Sequence, residues 1–255
     1  MNVALLGYGR MGHAVEAAAT ARGHEVHVKL DVDDNADGAG IDAARFAAVD
    51  VAVDFTQPSA VLDNVEATMR VGVPLVIGTT GWDDRAGEVR SIVEEHDGAL
   101  VHAANFSIGA NLFLRIIERA AALFDRFDDY DPYVFEHHHR NKIDAPSGTA
   151  LRLAQAVIDG IDRKTHVQGG NPDGAIEPDG LHVASLRAGK AFGEHRVGFD
   201  GETDVIELVH LARGRDGFAH GAVLAAEWIA GRRGFFSFDQ VLDNILSGDD
   251  TGGPD

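Results

Sequence analysis

The feature that most constrains the fold lies at the N-terminus, where a short apolar run leads directly into a glycine-rich turn. Val3–Leu6 predicts a buried strand, and the turn G-Y-G-R-M-G begins at Gly7. Apolar residues then recur at a helical spacing as far as Ala21, and Glu25–Leu30 predicts a second strand that ends at Asp31. Strand, G-x-G-x-x-G, helix, strand and acid in this order are typical of a dinucleotide-binding unit.

Each glycine of the turn has a predicted role. Gly7 permits the tight turn, Gly9 lets the backbone approach a pyrophosphate, and Gly12 lets the helix pack closely on the strand. We expect the whole turn to contact the cofactor: Gly7, Tyr8, Gly9, Arg10, Met11 and Gly12.

The acid after the second strand indicates which cofactor is bound. A carboxylate at Asp31 suits the two ribose hydroxyls of NAD and repels the 2′-phosphate of NADP. Val32 and Asp33 follow it instead of an arginine, although Lys29 precedes it. We therefore expect a preference for NADH, with NADPH as the alternative hydride donor.

The next hundred residues continue the alternation of strands and helices. After a loop with a weak helix at 35–48, the pattern predicts strands at Val51–Phe55, Val73–Ile77 and Ala99–Ala103, with helices at Pro58–Val71 and 83–96. This order predicts a Rossmann-type, doubly wound parallel sheet, in which ligands bind beyond the carboxyl ends of the strands. Three residues there are expected to line the nicotinamide half of the cofactor, although a plain polar turn fits the spacing equally well: Gly78, Thr79 and Thr80.

The pattern changes after a helix at Asn111–Phe124. Longer strands with alternating faces follow, and Asp200-Gly201 predicts a hairpin between the last two of them. The predicted strands are Tyr133–His139, Leu181–Arg187, Gly193–Phe199 and Thr203–Leu211. The fold class is therefore α/β, with a second, smaller α+β domain built on a mixed sheet.

Two C-terminal helices complete the predicted organisation. Phe218–Ala230 and Phe238–Leu246 are expected to return to the first domain. We therefore place a dinucleotide-binding domain at 1–105 and 217–255, and a domain for substrate binding and oligomerisation at 106–216. Residues 169–180 read as a loop, and Gly248–Asp255 as a frayed tail.

Catalytic chemistry is concentrated at Phe135–Ala150, where three consecutive histidines and Lys142 precede a helix start. Pro146 suits the first helical turn, and Asp144 or Ser147 can cap the helix. The N–H groups of such a helix start bind a carboxylate or a phosphate. We expect these groups to come from Ser147, Gly148 and Thr149.

Other interpretations of this segment remain open at this point. Consecutive histidines also occur on an exposed strand edge, and Pro-Ser-Gly-Thr also forms an ordinary helix cap. On a strand, His137 and His139 share one face while His138 points the other way. Because the chain has no cysteine to complete a zinc set, we expect no metal.

Composition limits the partners and the cellular location. The 255 residues include 41 acidic and 22 basic ones, a formal charge of −19 that repels nucleic acid and anionic membranes. The N-terminus lacks the basic and long apolar regions of a signal peptide. These observations predict a soluble, cytoplasmic protein whose partner is a small molecule. The acidity fits either a solubilising surface or adaptation to a salty cytoplasm.

In the glycine-rich turn and the histidine segment together, the chain resembles the 4-hydroxy-tetrahydrodipicolinate reductases (dihydrodipicolinate reductases). Glu136–Ala150 matches the family pattern E-x-H-H-R-x-K-x-D-A-P-S-G-T-A. Supporting segments include Asp54-Phe55-Thr56, Gly78–Gly81, Ala103–Ser107 and Phe218–Ala222. The similarity extends over essentially the whole chain.

The resemblance implies a function and a role for each matching residue. The family reduces 4-hydroxy-2,3,4,5-tetrahydrodipicolinate to tetrahydrodipicolinate with NAD(P)H and loss of water, in lysine and diaminopimelate biosynthesis. It implies that His138 and Lys142 are catalytic, that His139 and the backbone at Gly148-Thr149 hold the dicarboxylate substrate, and that the enzyme is a homotetramer. It adds four cofactor contacts: Ala103, Ala104, Asn105 and Phe106.

Three rival interpretations predict different behaviour. Another two-domain dehydrogenase of small acids would share residues 1–104 but not the segment from Lys142 to Thr149. An NAD-sensing regulator would bind NADH without turnover and usually carry a basic DNA-binding module. A histidine-rich metal protein would be purified with its metal.

Overall fold

The computed structural model describes residues 1–172 and 174–248. The chain divides into two compact units, the first formed by Met1–Ile108 with Arg215–Asp255 and the second by Gly109–Gly214. The frayed tail was expected at Gly248–Asp255, and of these residues all but Gly248 lie outside the described ones, as does Asp173 of the 169–180 loop.

The regular elements, in chain order, are β1 (Asn2–Leu6), α1 (Arg10–Ala21), β2 (Glu25–Leu30), β3 (Val51–Asp54), α2 (Val61–Arg70), β4 (Leu75–Ile77), α3 (Ala86–Glu95), β5 (Ala99–His102), α4 (Ile108–Phe124), β6 (Asp131–His138), α5 (Gly148–Gly160), β7 (His166–Gly169), β8 (Gly180–Arg187), β9 (Gly193–Asp200), β10 (Val205–Ala212), α6 (Asp216–Ile229), β11 (Gly234–Ser237) and α7 (Phe238–Ser247). Short 3₁₀ turns at Pro58–Ala60 and Asp83–Arg85 precede α2 and α3. The weak helix expected within 35–48 is a single 3₁₀ turn, Ala36–Gly38.

The first unit contains a six-stranded sheet in the order β11-β5-β4-β3-β1-β2, and every pair in it is parallel. Side chains that alternate along each strand enter two separate cores. Leu5 packs in the core that contains residues of α1 and α6, whereas Leu6 packs in the core that contains residues of α2 and α3. Because both faces are covered, the strands are nearly continuous apolar runs. The predicted doubly wound parallel sheet is confirmed.

The C-terminal segment completes this sheet with a strand that the sequence analysis missed. β11 pairs in parallel with β5, from Gly234 opposite Ala99 to Ser237 opposite His102. α6 brings Ala222 and α7 brings Val241 into the core that contains Leu5.

The second unit contains a five-stranded mixed sheet in the order β10-β9-β6-β8-β7. β9 and β10 form the predicted antiparallel hairpin, closed by a hydrogen bond from the Gly201 N–H to the Asp204 carbonyl. β6 pairs antiparallel with β9 and parallel with β8. β7, which the sequence analysis did not predict, adds a parallel edge strand beside β8. The predicted mixed sheet is confirmed.

One face of the mixed sheet carries the core of this unit, and the other carries exposed apolar side chains. Phe113 and Ile117 of α4 and Leu153 and Val157 of α5 pack on its inner face. Exposed apolar residues on β8 and β10 include Leu186, Val205, Val209 and Leu211. Among the described residues, no helix is both long and apolar enough to cross a membrane.

Candidate active site

The glycine-rich turn has the geometry that its sequence predicts. Gly7 has a φ of +84°, and a β-carbon there would collide with the Phe55 carbonyl. A β-carbon on Gly12 would collide with the Gly7 carbonyl, because α1 starts so close to β1. A β-carbon on Gly9 would meet no atom within 4 Å, so the backbone there faces open space that a pyrophosphate requires. These residues therefore fit a dinucleotide.

A cleft of about 270 Å³ lies at the carboxyl ends of the first three strands. It is lined by Gly7, Gly9, Leu30, Asp31, Val32, Asn35, Phe55, Thr56, Gln57, Ser59, Ala60 and Asn64. The Asp31 carboxylate accepts a hydrogen bond from the Val32 N–H at 2.9 Å. Predicted cofactor residues from both the glycine turn and the end of β2 thus share one cleft.

The lysine beside Asp31 is already paired. Lys29 Nζ lies 2.6 Å from a Glu16 carboxylate oxygen and donates to the Tyr8 hydroxyl at 3.1 Å. Tyr8 in turn donates to Glu16. The hydrogen bond to Glu16 is the main reason that the pKa of Lys29 is raised. The Lys29 charge is therefore balanced locally, whereas Arg10 is exposed and forms no ion pair within residues 1–172 and 174–248.

A buried carboxylate organises the loops beside this cleft. Asp54, at the end of β3, accepts hydrogen bonds from the backbone and hydroxyl of Thr56, from the Thr79 hydroxyl and from the Asn64 amide, at 2.7–2.9 Å. Burial raises the pKa of Asp54, and these hydrogen bonds oppose it. The Thr79 hydroxyl is thus occupied by the protein, while Thr80 is exposed.

The last group of predicted cofactor residues follows β5. Ala103 donates its N–H to the Ile77 carbonyl, and the Asn105 side chain accepts from the Ser107 N–H. Ala104 is exposed. The Phe106 ring is buried and packs 4.8 Å from the Phe238 ring, so this side chain belongs to the core.

The histidine run leaves β6 with its side chains on different faces. His138 is buried, whereas His137 is half-exposed and its ring contacts the Ala188 carbonyl at 3.2 Å. The strand ends at His138, and His139 donates its backbone N–H to the Ala191 carbonyl. The β6–β9 pairing ends with His137 opposite Glu194, and a β-carbon on the neighbouring Gly193 would lie 3.0 Å from His138 Nε2. The absent side chain at Gly193 leaves room for the imidazole.

Glu136 is the centre of the polar network around His138. Its side chain is fully buried. Oε1 accepts hydrogen bonds from the Ser147 N–H at 2.9 Å, the Ser185 hydroxyl at 2.8 Å and Arg187 Nη2 at 2.7 Å. Oε2 lies 2.8 Å from His138 Nδ1, in a short but bent contact. Burial alone would raise the pKa of Glu136, but these contacts outweigh it and lower the pKa.

A second buried histidine adjoins this network. His195 on β9 is paired with Glu136 across the sheet, and its Nε2 lies 3.3 Å from the Ser147 hydroxyl. Burial, followed by the repulsion of His138, lowers the pKa of His195 to about 4. His195 is therefore neutral near neutral pH.

The helix start that follows differs from the prediction in two details. Ser147 is the N-cap, and its hydroxyl accepts from the Ala150 N–H, so Pro146 precedes the helix instead of occupying its first turn. The Ser147 N–H is occupied by Glu136, so the expectation that it is free is wrong. Gly148 and Thr149 are the first residues of α5, and their N–H groups have no hydrogen-bond partner within the described part of the chain.

Lys142 lies in the loop between β6 and α5. Its Nζ contacts both Asp144 carboxylate oxygens at 2.8 and 2.9 Å, and this contact lowers the pKa of Asp144. Its backbone N–H donates to the His139 carbonyl. The structure thus places a lysine, two histidines and a helix start in one short segment.

The network also assembles a set of possible metal ligands that the sequence analysis did not foresee. Ligand atoms of Glu136, His138 and His195 lie within 4.8 Å of one another. However, the Arg187 guanidinium already neutralises Glu136. Glu136 Oε2 and His138 Nδ1 are 2.8 Å apart, although the contact is too bent for a regular hydrogen bond. With Glu136 already paired to a guanidinium, the set fits a buried ion-paired carboxylate better than a metal centre.

Comparisons with known proteins identify the family. The model described as dihydrodipicolinate reductase, N-terminus, matches residues 1–106, and the model for its C-terminus matches residues 109–242. The chain belongs to the dihydrodipicolinate reductase family. The resemblance inferred from the sequence is confirmed, and the family replaces the three rival interpretations as the description of this chain. The family makes this chain an NAD(P)-dependent oxidoreductase.

Individual relatives of this reductase family cover nearly the whole chain. The 4-hydroxy-tetrahydrodipicolinate reductase of Christiangramia forsetii is 37% identical over 96% of this chain and 99% of the relative. The reductase of Thiobacillus denitrificans is 38% identical over 95% and 98%. The solved dipicolinate-bound dihydrodipicolinate reductase of Paenisporosarcina sp. TG-14 covers 94% and 98%, with a TM-score of 0.73 and 24% identity, and supports the fold.

Sequence reasoning assigned no role to several polar residues that organise this reductase. Glu136 entered the sequence analysis only as part of a matching segment, Asp54 as part of Asp-Phe-Thr, and His195 as part of a predicted strand. One signal was available for Glu136: it is two residues before His138 on a strand, so both side chains share one face.

Proposed function

We propose that this chain is a 4-hydroxy-tetrahydrodipicolinate reductase of lysine and diaminopimelate biosynthesis. It reduces 4-hydroxy-2,3,4,5-tetrahydrodipicolinate to tetrahydrodipicolinate with NAD(P)H and loss of water. The names of full-length relatives at 37% and 38% identity support the reaction. The structural observation that carries it is a buried histidine joined through one carboxylate to the start of α5.

The substrate is a dicarboxylate, and the segment after β6 suits it. In this proposal the N–H groups of Gly148 and Thr149, at the positive end of α5, hold one carboxylate. His139 assists them. Ser147 supports this site as the helix cap rather than with its own N–H.

The proton chemistry is assigned to His138 and Lys142. Reduced nicotinamide, when bound, supplies the hydride, and the ring receives one proton while one water leaves. His138 exchanges protons with the ring, and Lys142 is the second proton donor. Histidine suits this role because its proton transfer operates near neutral pH.

NADH is the proposed preferred donor. The Asp31 carboxylate at the cleft repels a 2′-phosphate, and Lys29 is occupied by Glu16 and so does not offset that repulsion. The remaining predicted contacts come from the glycine turn, the Gly78–Thr80 loop and Ala103–Phe106. Comparable kcat/KM values for NADH and NADPH would contradict this preference.

The units, the assembly and the location follow as further proposals. Residues 1–105 and 217–255 bind the dinucleotide, and 106–216 bind the substrate and form a homotetramer. The exposed apolar side chains of Leu186, Val209 and Leu211 support burial of this sheet face in an assembly. Light scattering should give four times the monomer mass. We place the enzyme in the cytoplasm because biosynthetic reduction requires the pool of reduced nicotinamide.

The decisive experiment follows NADH oxidation by absorbance with the freshly made product of dihydrodipicolinate synthase. His138→Gln and Lys142→Met should each lower kcat by about 10²–10⁴ and leave the NADH dissociation constant unchanged. Lys190→Met, which removes an exposed lysine of the same unit, is the matched control. Wild-type turnover in both site variants would refute the assigned roles, and no turnover in the wild-type enzyme would refute the function.

A further inference from the structure

The two oxygens of the Glu136 carboxylate have different environments. Oε1 accepts from three donors: the Ser147 N–H, the Ser185 hydroxyl and Arg187 Nη2. Within residues 1–172 and 174–248, the polar contact of Oε2 is with His138 Nδ1, at 2.8 Å. The carboxylate is fully buried, so these contacts are shielded from bulk solvent. The donors at Oε1 therefore fix the orientation of the carboxylate, and this orientation points Oε2 at one imidazole nitrogen.

This arrangement determines where the imidazole proton lies. The contact is bent, but an unprotonated Nδ1 would place its lone pair 2.8 Å from a buried carboxylate oxygen, and because that repulsion is costly we infer that Nδ1 carries a proton. In a neutral imidazole the other nitrogen, Nε2, then carries the lone pair. Nε2 is the nitrogen for which Gly193 leaves room, because a β-carbon at Gly193 would lie 3.0 Å from it.

We propose that Glu136 is a positioning residue that holds His138 as the Nδ1–H tautomer, so that Nε2 is the atom that exchanges the proton with the substrate. The proposal rests on the proposed function for the role of His138. It adds a residue that acts on the reaction without contact with the substrate, as orienting carboxylates do for other catalytic and metal-binding histidines.

The same carboxylate joins the proton donor to the anion-binding helix start. Oε1 accepts a hydrogen bond from the N–H of Ser147, the residue immediately before Gly148 and Thr149. Oε2 contacts His138 Nδ1. Arg187 Nη2, which donates to Oε1, also donates to the Asp144 carbonyl at 2.5 Å and so holds the intervening loop. One buried group therefore sets the distance between the imidazole and the groups that hold the carboxylate.

The wild-type enzyme allows a direct test. In ¹⁵N-histidine-labelled protein, a nitrogen that carries a proton and one that carries a lone pair differ widely in chemical shift. His138→Gln identifies the His138 signals among those of the 13 histidines. With the ring neutral and no substrate present, we expect the proton on Nδ1. A proton on Nε2 would overturn the proposal, whatever the activity of the enzyme.

Glu136→Gln supplies the second test, with an expected reversal of the tautomer. In this variant the three donors that bind Oε1 require an acceptor, so the amide oxygen occupies that position. The amide NH₂ then faces His138 Nδ1, and that nitrogen must accept a hydrogen bond from it. The proton then moves to Nε2, and kcat should fall about 10²–10⁴-fold while NADH binding stays unchanged. Melting temperature and NADH binding verify that the variant is folded.

Glu207→Gln is the matched control. It removes a carboxylate from β10 of the same sheet, where Glu207 pairs with Arg196 and Tyr133. We expect the wild-type His138 signals in this variant. Retention of the Nδ1–H tautomer in folded Glu136→Gln would overturn the proposal even if activity is lost. If the wild-type enzyme lacks reductase activity but shows the expected tautomer, the proposed function fails and the positioning role stands.

Discussion

The pH dependence of stability provides a quantitative test of the buried polar network. His195 is buried beside Glu136 and His138, and its pKa falls from 6.5 to about 4 on folding. Folding therefore favours the neutral ring. The stability that this group contributes is fully present above the unfolded pKa of 6.5 and is lost as the pH falls towards 4.

The size of the effect follows from the shift. A change from 6.5 to about 4 corresponds in full to about 3 kcal/mol. Between about pH 7.5 and pH 5 the loss is about 2 kcal/mol, because at pH 5 the unfolded imidazole is almost fully protonated and the folded one is not. His195→Gln removes the titrating group and retains a polar side chain towards the Ser147 hydroxyl.

The assay must report on the second unit, because Trp82 and Trp228 both lie in the first. We suggest hydrogen exchange of β9 amides in wild type and His195→Gln at several pH values. The wild-type free energy of opening should fall about 2 kcal/mol more than that of the variant between about pH 7.5 and pH 5. Equal pH dependence in the two proteins would refute the assignment of a buried neutral His195.

Three further predictions concern the site, the second unit and the cofactor. Gly193→Ala places a methyl group 3.0 Å from His138 Nε2 and should lower kcat at least tenfold with NADH binding unchanged; wild-type kcat would contradict this geometry. Lys164→Met removes a buried ammonium that donates to the Pro178 and Gly180 carbonyls and should lower the free energy of unfolding of its unit by about 2 kcal/mol, measured by hydrogen exchange of β8; unchanged protection would contradict it. Asp31→Ser should raise the ratio of NADPH to NADH kcat/KM about tenfold, and an unchanged ratio would show that Asp31 does not select the cofactor.

The elements predicted best from the sequence were those defined by local patterns. The glycine-rich turn specifies its own strand, helix and second strand, and β2 was predicted to the residue at Glu25–Leu30. Asp200-Gly201 likewise predicted the β9–β10 hairpin. In these cases the residues that determine the structure are neighbours in the chain.

The elements missed were those defined by distant partners. β11 is only four residues long and is recognisable as a strand through its pairing with β5, more than 130 residues earlier. The network of Glu136 joins residues 138, 147, 185 and 187, whose spacing in the sequence indicates no contact. Of the two predicted caps, Ser147 is the one used, with its hydroxyl on the Ala150 N–H, so α5 begins at Gly148 and Pro146 precedes the helix.

The return of the C-terminal segment to the first unit determines the order in which the protein can mature on the ribosome. β5 leaves the exit tunnel early, yet its neighbour β11 is synthesised about 130 residues later, so one sheet edge stays open until then. Gly109–Gly214 is continuous and closes its own sheet first. The ribosome therefore synthesises most of the nucleotide-binding unit first, but that unit receives its last strand only at the end of translation. In an arrested nascent chain that ends before Gly234, β5 should be the strand most accessible to protease.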